Sequence, residues 1–474
     1  MRNGSLFLVA PRITPTLSPG FRPAVLANRR FQEQVVASGR PDAVQIALEQ
    51  ADGSIFRFST QVLPPEHPDT KASFVYVERW LKFLLWSRGG FRLHFAGPPQ
   101  LAQAVQAHYR EHPTGRFDAQ MMGERIYERP FEVRCCPPDD LPQEHSSTQP
   151  LGRHLEGCLL GFDLGGSDRK VAAVVDGRLV FSEETVWDPI AQADPQYHFD
   201  GIMQSLQRAA AHLPRVDAIG GSAAGVYVNN RVKVASLFRH VPADLFERRV
   251  KNLFFELKRA WGDVPFVVVN DGEVTALAGS MALGDNAVLG IALGTSTAGG
   301  YVTPEGKITT WLNELAFVPV DYAPDAPVDE WSGDYGCGCK YFSQQAVGLL
   351  VDLAGIEVPR PMPLPEVLHH VQALMTQGDY RARKIYESIG TFLGYTVAHF
   401  AHFYHFRHLL ILGRVTSGPG GDLILQGARQ VLQAEFPELA ARVALHTPGE
   451  QDKRHGQAVA SASLPLGGSS QPRP

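Results

Sequence analysis

Three short segments carry residue types suited to moving a phosphoryl group. In Phe162-Asp163-Leu164-Gly165-Gly166-Ser167, two glycines follow a carboxylate and lie between two apolar runs. Glycine lets backbone amides approach a phosphate where a Cβ would block it. A carboxylate at a strand end can hold hydrated Mg²⁺, which offsets phosphate charge. Ala292-Leu293-Gly294-Thr295-Ser296-Thr297-Ala298-Gly299-Gly300 repeats the theme and adds hydroxyls that suit phosphate oxygens. Either segment alone is equally an ordinary glycine hairpin. The third, Val269-Asn270-Asp271-Gly272-Glu273, joins a strand to a helix. Asp271 could accept the proton of a hydroxyl attacking the γ-phosphate of ATP. It could equally be the N-cap of that helix.

These segments need elements to hold them. Leu159–Phe162, Lys170–Val175 and Arg178–Phe181 read as strands, with Asp176-Gly177 as a hairpin turn. A helix over Tyr197–Leu213, a strand over Val216–Ile219, a helix over Ala243–Trp261 and a strand at 265–269 follow. The theme then restarts: strands at Ala287–Ala292 and Gly299–Thr303, helices over Cys339–Ala354, Pro365–Thr376 and Ala382–His408, a strand at Leu409–Leu412 and a closing helix at Gln451–Leu464. Two strand–turn–strand units, each followed by helices, imply a duplicated α/β fold with a cleft between its halves.

The ordered motifs resemble the ROK family (repressors, uncharacterised reading frames and sugar kinases) of the actin/hexokinase superfamily. Asp163–Ser167 resembles that family's first phosphate motif and Leu293–Gly300 its second. Asn270-Asp271 resembles its Asn-Asp-Ala-Asn segment, Gly220–Gly225 the glycine-rich turn bordering the sugar, and Leu410–Thr416 the adenosine-side strand and turn. The resemblance covers about 300 residues.

It implies a ribonuclease-H-like, actin-like ATPase core of two lobes, here with an N-terminal α/β appendage. The implied activity is ATP-dependent phosphorylation of a hydroxyl on a sugar or sugar-like polyol. Asp271 would be the base, and Asn270, Glu314 and Gly225 would bind sugar. Asp163, Gly165, Gly166, Ser167, Gly294, Thr295, Ser296 and Gly413 would serve ATP, with Mg²⁺ held by Asp163 through water. The expected segments are 1–136 (appendage), 137–156 (linker), 157–270 with 451–464 (first lobe), 271–450 (second lobe) and a disordered tail at 465–474.

Departures from the family pattern concern its zinc segment. Where the family carries Gly-Glu-Leu/Ile-Gly-His, this chain has Asn313-Glu314-Leu315-Ala316-Phe317, so Phe317 replaces the histidine. The Cys-x-Cys-x(4)-Cys segment is reduced to Cys337-Gly338-Cys339. Two thiolates are half a tetrahedral site, so zinc is not expected. His399, His402, His405 and His408 recur every three residues. On a 3.6-residue helix they drift by about 60° per step and cannot converge on one ion.

With 474 residues, the chain needs two to four domains. A formal net charge of −5 offers no overall field for nucleic acid or an anionic membrane. Five scattered cysteines do not read as a disulfide framework. No apolar run reaches the ~20 residues of a membrane helix, and a cytoplasmic protein is expected. A homo-oligomer is compatible with the sequence. A rival reading is a sugar-responsive transcription regulator, but residues 1–150 hold 17 Lys/Arg against 15 Asp/Glu and no basic footprint. A catalytically silent sugar- or nucleotide-binding protein is the other alternative.

Overall fold

In the computed structural model, residues 7–146, 152–359, 361–447 and 456–465 are described. The chain forms two compact units. One comprises residues 1–147, 292–298 and 310–447, the other residues 148–291, 299–309 and 448–474.

The second unit is built on a five-stranded sheet in the order Phe266–Asn270, Ala218–Ala223, Cys158–Leu164, Asp168–Val175, Arg178–Val186. The first three strands run parallel, and Asp168–Val175 runs antiparallel to both of its neighbours. Cys158–Leu164 is buried along its whole length, as its near-continuous apolar run requires of a central strand. Asp176 and Gly177 both take positive φ, 46° and 78°, which is the twist a two-residue hairpin needs. The Pro195–Ala210 and Leu253–Ala260 helices cover one face through Ile202, Leu206, Leu253, Phe254 and Leu257. The expected continuous helix over Ala243–Trp261 is instead broken by a π turn at Phe246–Val250. The break leaves the Lys251 carbonyl to accept the Val232 amide.

The other face receives the closing helix, Gln457–Ala462. Glycine makes this approach feasible. A Cβ on Gly161 would stand 1.8 Å from the Ala458 carbonyl oxygen, and one on Gly220 would stand 1.8 Å from that of Ser461. The expected start of this helix at Gln451–His455, and the tail from 466, lie outside the described residues.

The first unit contains the N-terminal segment. A helix at Ala24–Ala37 precedes a sheet ordered Ile55–Val62, Asp42–Glu49, Arg92–Ala96, Glu132–Cys135. Its helix at Lys71–Arg88 buries fifteen of eighteen residues, including Arg79, Lys82 and Arg88. These residues belong to the same compact unit as 310–447, and the segment from 148 onward belongs to the other. The expected linker also packs where described: Leu141 is buried beside Ala47 and Ala96, and His145 exchanges backbone bonds with Ile55. The helix expected to reach His408 ends at Phe400. His408 opens the next strand and its ring meets His446 at 3.0 Å, so the four histidines share no helix.

Gly161→Ala is expected to destabilise the chain by about 1–3 kcal/mol through overpacking against the closing helix. Urea unfolding monitored by circular dichroism measures it, and Gly177→Asn, at a turn without this contact, should cost far less.

Candidate functional site

The carboxyl ends of the three parallel strands bring two acids into one electrostatic environment. Asp163 lies on the central strand, paired in register with Ser222 on its parallel neighbour. Val269 pairs with Ser222 in turn, which places Asn270 and Asp271 at the end of the third strand. This edge of a parallel sheet is where open α/β folds bind ligands.

Asn270, not Asp271, caps the following helix. Its Oδ1 accepts the Gly272 amide at 2.7 Å and its Nδ2 donates to the Gly225 carbonyl at 2.6 Å. Both ends of that amide are therefore engaged within the protein. Gly225 needs its φ of +131° and has no room for a Cβ, which would meet the Val234 carbonyl at 2.5 Å. Residues 220–223, expected as part of a glycine-rich turn, are strand, and the turn is confined to Ala224-Gly225.

Asp271 is the first helical residue and half-buried, with Oδ1 3.0 Å from the Gly272 amide. A helix N-terminus normally favours the ionised form. Here burial, and then the charge of Asp163, push its pKa up to about 6. Asp163 is buried and also raised, by burial first; Lys170 and Ser222 oppose this. The Ser222 hydroxyl donates to Asp163 Oδ1, while Lys170 Nζ stands 3.9 Å from Oδ2 and 2.9 Å from Asp168 Oδ1. Two partly uncompensated carboxylates in one electrostatic environment are a donor set that suits a divalent cation.

The Gly165–Ser167 turn is steadied from below. The Trp187 indole N–H donates to the Gly165 carbonyl at 2.8 Å, and the Trp187 amide donates to the Ser167 carbonyl at 3.1 Å. Gly166 and Ser167 are exposed. A Cβ on Gly166 would make only ordinary contact, 3.5 Å from Ile190 Cδ1, so internal packing does not demand glycine there.

Gly294, Thr295 and Ser296 form a turn of the first unit in which the Gly294 amide donates to the Ser296 carbonyl at 3.0 Å. Thr295 and Ser296 are exposed, and a Cβ on Gly294 would come no nearer than 3.7 Å to another residue. Gly413 closes against this turn: its φ is +100° and a Cβ would lie 2.5 Å from the Leu293 carbonyl. Gly299 and Gly300, by contrast, serve packing. A Cβ on Gly300 would fall 1.9 Å from the Gly272 carbonyl, and one on Gly272 would fall 2.1 Å from that of Gly299.

Zinc does not fit the Cys337-Gly338-Cys339 segment. Phe317 lies in an aromatic cluster, its ring centroid 4.1 Å from that of Trp86. Burial raises both thiol pKa values, that of Cys339 to about 12, which disfavours the thiolates a metal needs. Among the described residues, no group of three or more His, Cys, Asp or Glu could hold a metal ion.

A cavity of about 1390 Å³ in the first unit contains none of these residues. Its lining has three arginines (29, 57 and 442) and three glutamates (33, 435 and 438), and so favours no charge class.

No protein-family model and no curated protein matches the sequence. Solved structures do. A ROK family glucokinase from Streptomyces griseus, in complex with glucose and AMPPNP, aligns with 65% of this chain and 99% of its own at 21% identity and a TM-score of 0.50. A ROK family transcriptional regulator, a homolog of the E. coli MLC protein, aligns with 66% of this chain and 79% of its own at 18% identity and a TM-score of 0.51. The chain has the ROK fold. That fold occupies about two thirds of the chain, leaving room for an extra segment. Because the ROK fold appears in a kinase and a regulator alike, it does not decide activity.

Ser222, Lys170 and Trp187 were not singled out from sequence. Lys170 could have been found from the hairpin register, which sets it directly opposite Asp163. Ser222 sits in the Gly220–Gly225 segment, but its role depends on strand pairing. Nothing local marks Trp187.

Removing the Asp163 charge should let Asp271 relax downward. In Asp163→Asn, the Asp271 titration observed by carboxyl-carbon NMR is expected below that of the parent protein. It should stay above the ordinary aspartate range, because burial remains.

Proposed function

We propose that the protein transfers the γ-phosphoryl group of ATP to a hydroxyl of a sugar or sugar-like polyol. The observation that carries this reading is the pair Asp163 and Asp271, held within one unit at the carboxyl ends of parallel strands. A base whose pKa lies near 6 is ionised at neutral pH yet basic enough to take a proton as the transition state develops.

In the proposed reaction, the sugar oxygen forms a bond to the γ-phosphorus as the bond to the β–γ bridging oxygen breaks. Asp271 accepts the hydroxyl proton and ADP leaves. Asn270 orients Asp271 through its cap on the same helix and its bond to Gly225. Asp163 would hold Mg²⁺ through water, and the ion would offset the charge on the phosphates. Lys170 would add positive charge on the same side. The open faces of Gly166 and Gly294, and the exposed hydroxyls of Ser167, Thr295 and Ser296, suit phosphate oxygens. Glu314 and Gly225 are assigned to sugar recognition. The glucose and AMPPNP bound by the S. griseus glucokinase support a hexose and ATP as first substrates to test.

A regulator of the same fold is the second reading, favoured by the MLC homolog. Against it, Arg79, Lys82 and Arg88 of the N-terminal segment are buried rather than offered to phosphates.

Asp271→Asn is expected to lower the turnover of ATP-dependent hexose phosphorylation by about 10²–10⁴-fold. AMPPNP binding should change less than threefold. ADP release in a coupled assay and calorimetric titration measure the two effects, and an Asp271→Asn protein with full turnover would refute the assignment.

A further inference from the structure

The Lys71–Arg88 helix is more deeply engaged with the first unit than a surface appendage would be. The last carbonyls of a helix have no intrahelical partners. Here those of Trp86, Ser87 and Arg88 accept the amides of Glu314, Asn313 and Leu312 at 2.9, 3.0 and 3.3 Å. Three consecutive bonds thus fix the backbone that carries Glu314. Asn313 holds a positive φ of 50°, and its Oδ1 accepts the Tyr404 hydroxyl at 2.7 Å.

The same helix grips the Cys337 loop with charge. Lys82 Nζ stands 2.9 Å from Asp118 Oδ1 and 3.2 Å from Asp334 Oδ2, and Arg79 Nη2 lies 3.0 Å from Asp334 Oδ2. The Trp86 indole donates to Asp118 Oδ1 at 2.8 Å. All four of these charged side chains are no more than 3% exposed. Asp334 is three residues from Cys337, whose thiol donates to the Asp334 carbonyl at 3.8 Å. Backbone bonds then lace the loop to the Glu314 segment: Val320 to the Gly336 carbonyl at 2.8 Å and Gly338 to the Val318 carbonyl at 2.9 Å. The Lys82 ammonium also acts on Cys337 electrostatically, and a dication beside a buried ammonium is disfavoured.

We propose that this helix does the positioning work of a structural metal, so that Lys82 and Trp86 are positioning residues that set Glu314 for sugar binding. The role assigned to Glu314 rests on the kinase reading above, whereas the mechanical claim does not. A buried ion network that loses one partner leaves uncompensated charge and loosens what it held.

The test uses the full chain and the variants Lys82→Met and Lys82→Arg. Hydrogen–deuterium exchange in Lys82→Met should accelerate at least tenfold in peptides covering 312–320 and 334–340. Peptides from 158–186 should be unchanged, which also reports a folded chain. Lys82→Arg should restore more than half of the protection. With D-glucose as probe, the sugar KM should rise about tenfold while the ATP KM and kcat move less than twofold. Should Lys82→Met fail to fold, Trp86→Phe keeps an aromatic ring, removes the bond to Asp118, and should show the same pattern at smaller amplitude. Unchanged exchange at 312–320 in a folded variant overturns the proposal. So does one equivalent of zinc in the purified wild-type chain whose removal reproduces the variant. If no hexose or polyol is phosphorylated, the kinase reading fails, and the exchange result still decides the mechanical claim.

Discussion

A buried carboxylate, Asp163, that raises the proton affinity of a second, half-buried one, Asp271, is the constraint on which the proposed chemistry rests. Asp163 and Asp271 come from segments more than a hundred residues apart, and only the parallel pairing of three strands brings them into one field. Ser222 and Lys170 partly compensate Asp163, whereas Asp271 is pushed up to about 6 by burial and by the Asp163 charge. A helix N-terminus alone would push that acid the other way. Burial and the neighbouring charge win.

Glycines support this arrangement in three different ways. Gly161, Gly220, Gly272 and Gly300 give way to another backbone, and any Cβ there would collide. Gly225 and Gly413 supply positive φ at turns. Gly166 and Gly294 do neither, since a Cβ there would make only ordinary contacts. In sequence the three kinds look alike, so the motif ending in Gly299-Gly300 reads as one phosphate loop although its last two residues serve the helix that begins at Asp271.

Local periodicity and turn chemistry made most of the second unit legible: the Asp176-Gly177 hairpin, the central strand and the Asn-Asp junction are all visible in single short segments. Which residue of Asn270-Asp271 caps the helix was not legible, because both types cap well and the choice depends on the Gly225 carbonyl nearby. The first 65 residues were obscure for another reason. Their strands are only partly buried, without a clean alternation, and the helix at Ala24–Ala37 has neither a capping side chain nor a first-turn acid. The helix at Lys71–Arg88 carries an apolar, aromatic stretch from Phe74 to Trp86, but its buried Arg79, Lys82 and Arg88 find their partners in residues 118, 334 and 403. Sequence spacing gives no hint of such pairings. They also explain how a chain with half a zinc segment keeps an ordered loop there.

The most direct measurement of the central claim is the pH dependence of kcat/KM for ATP-dependent hexose phosphorylation. If Asp271 is the base, the rate should fall on the acid side with an apparent pKa near 6, because protonation removes the acceptor. An acid limb at the ordinary aspartate value near 4, or a rate flat from pH 5 to 8, would contradict the account.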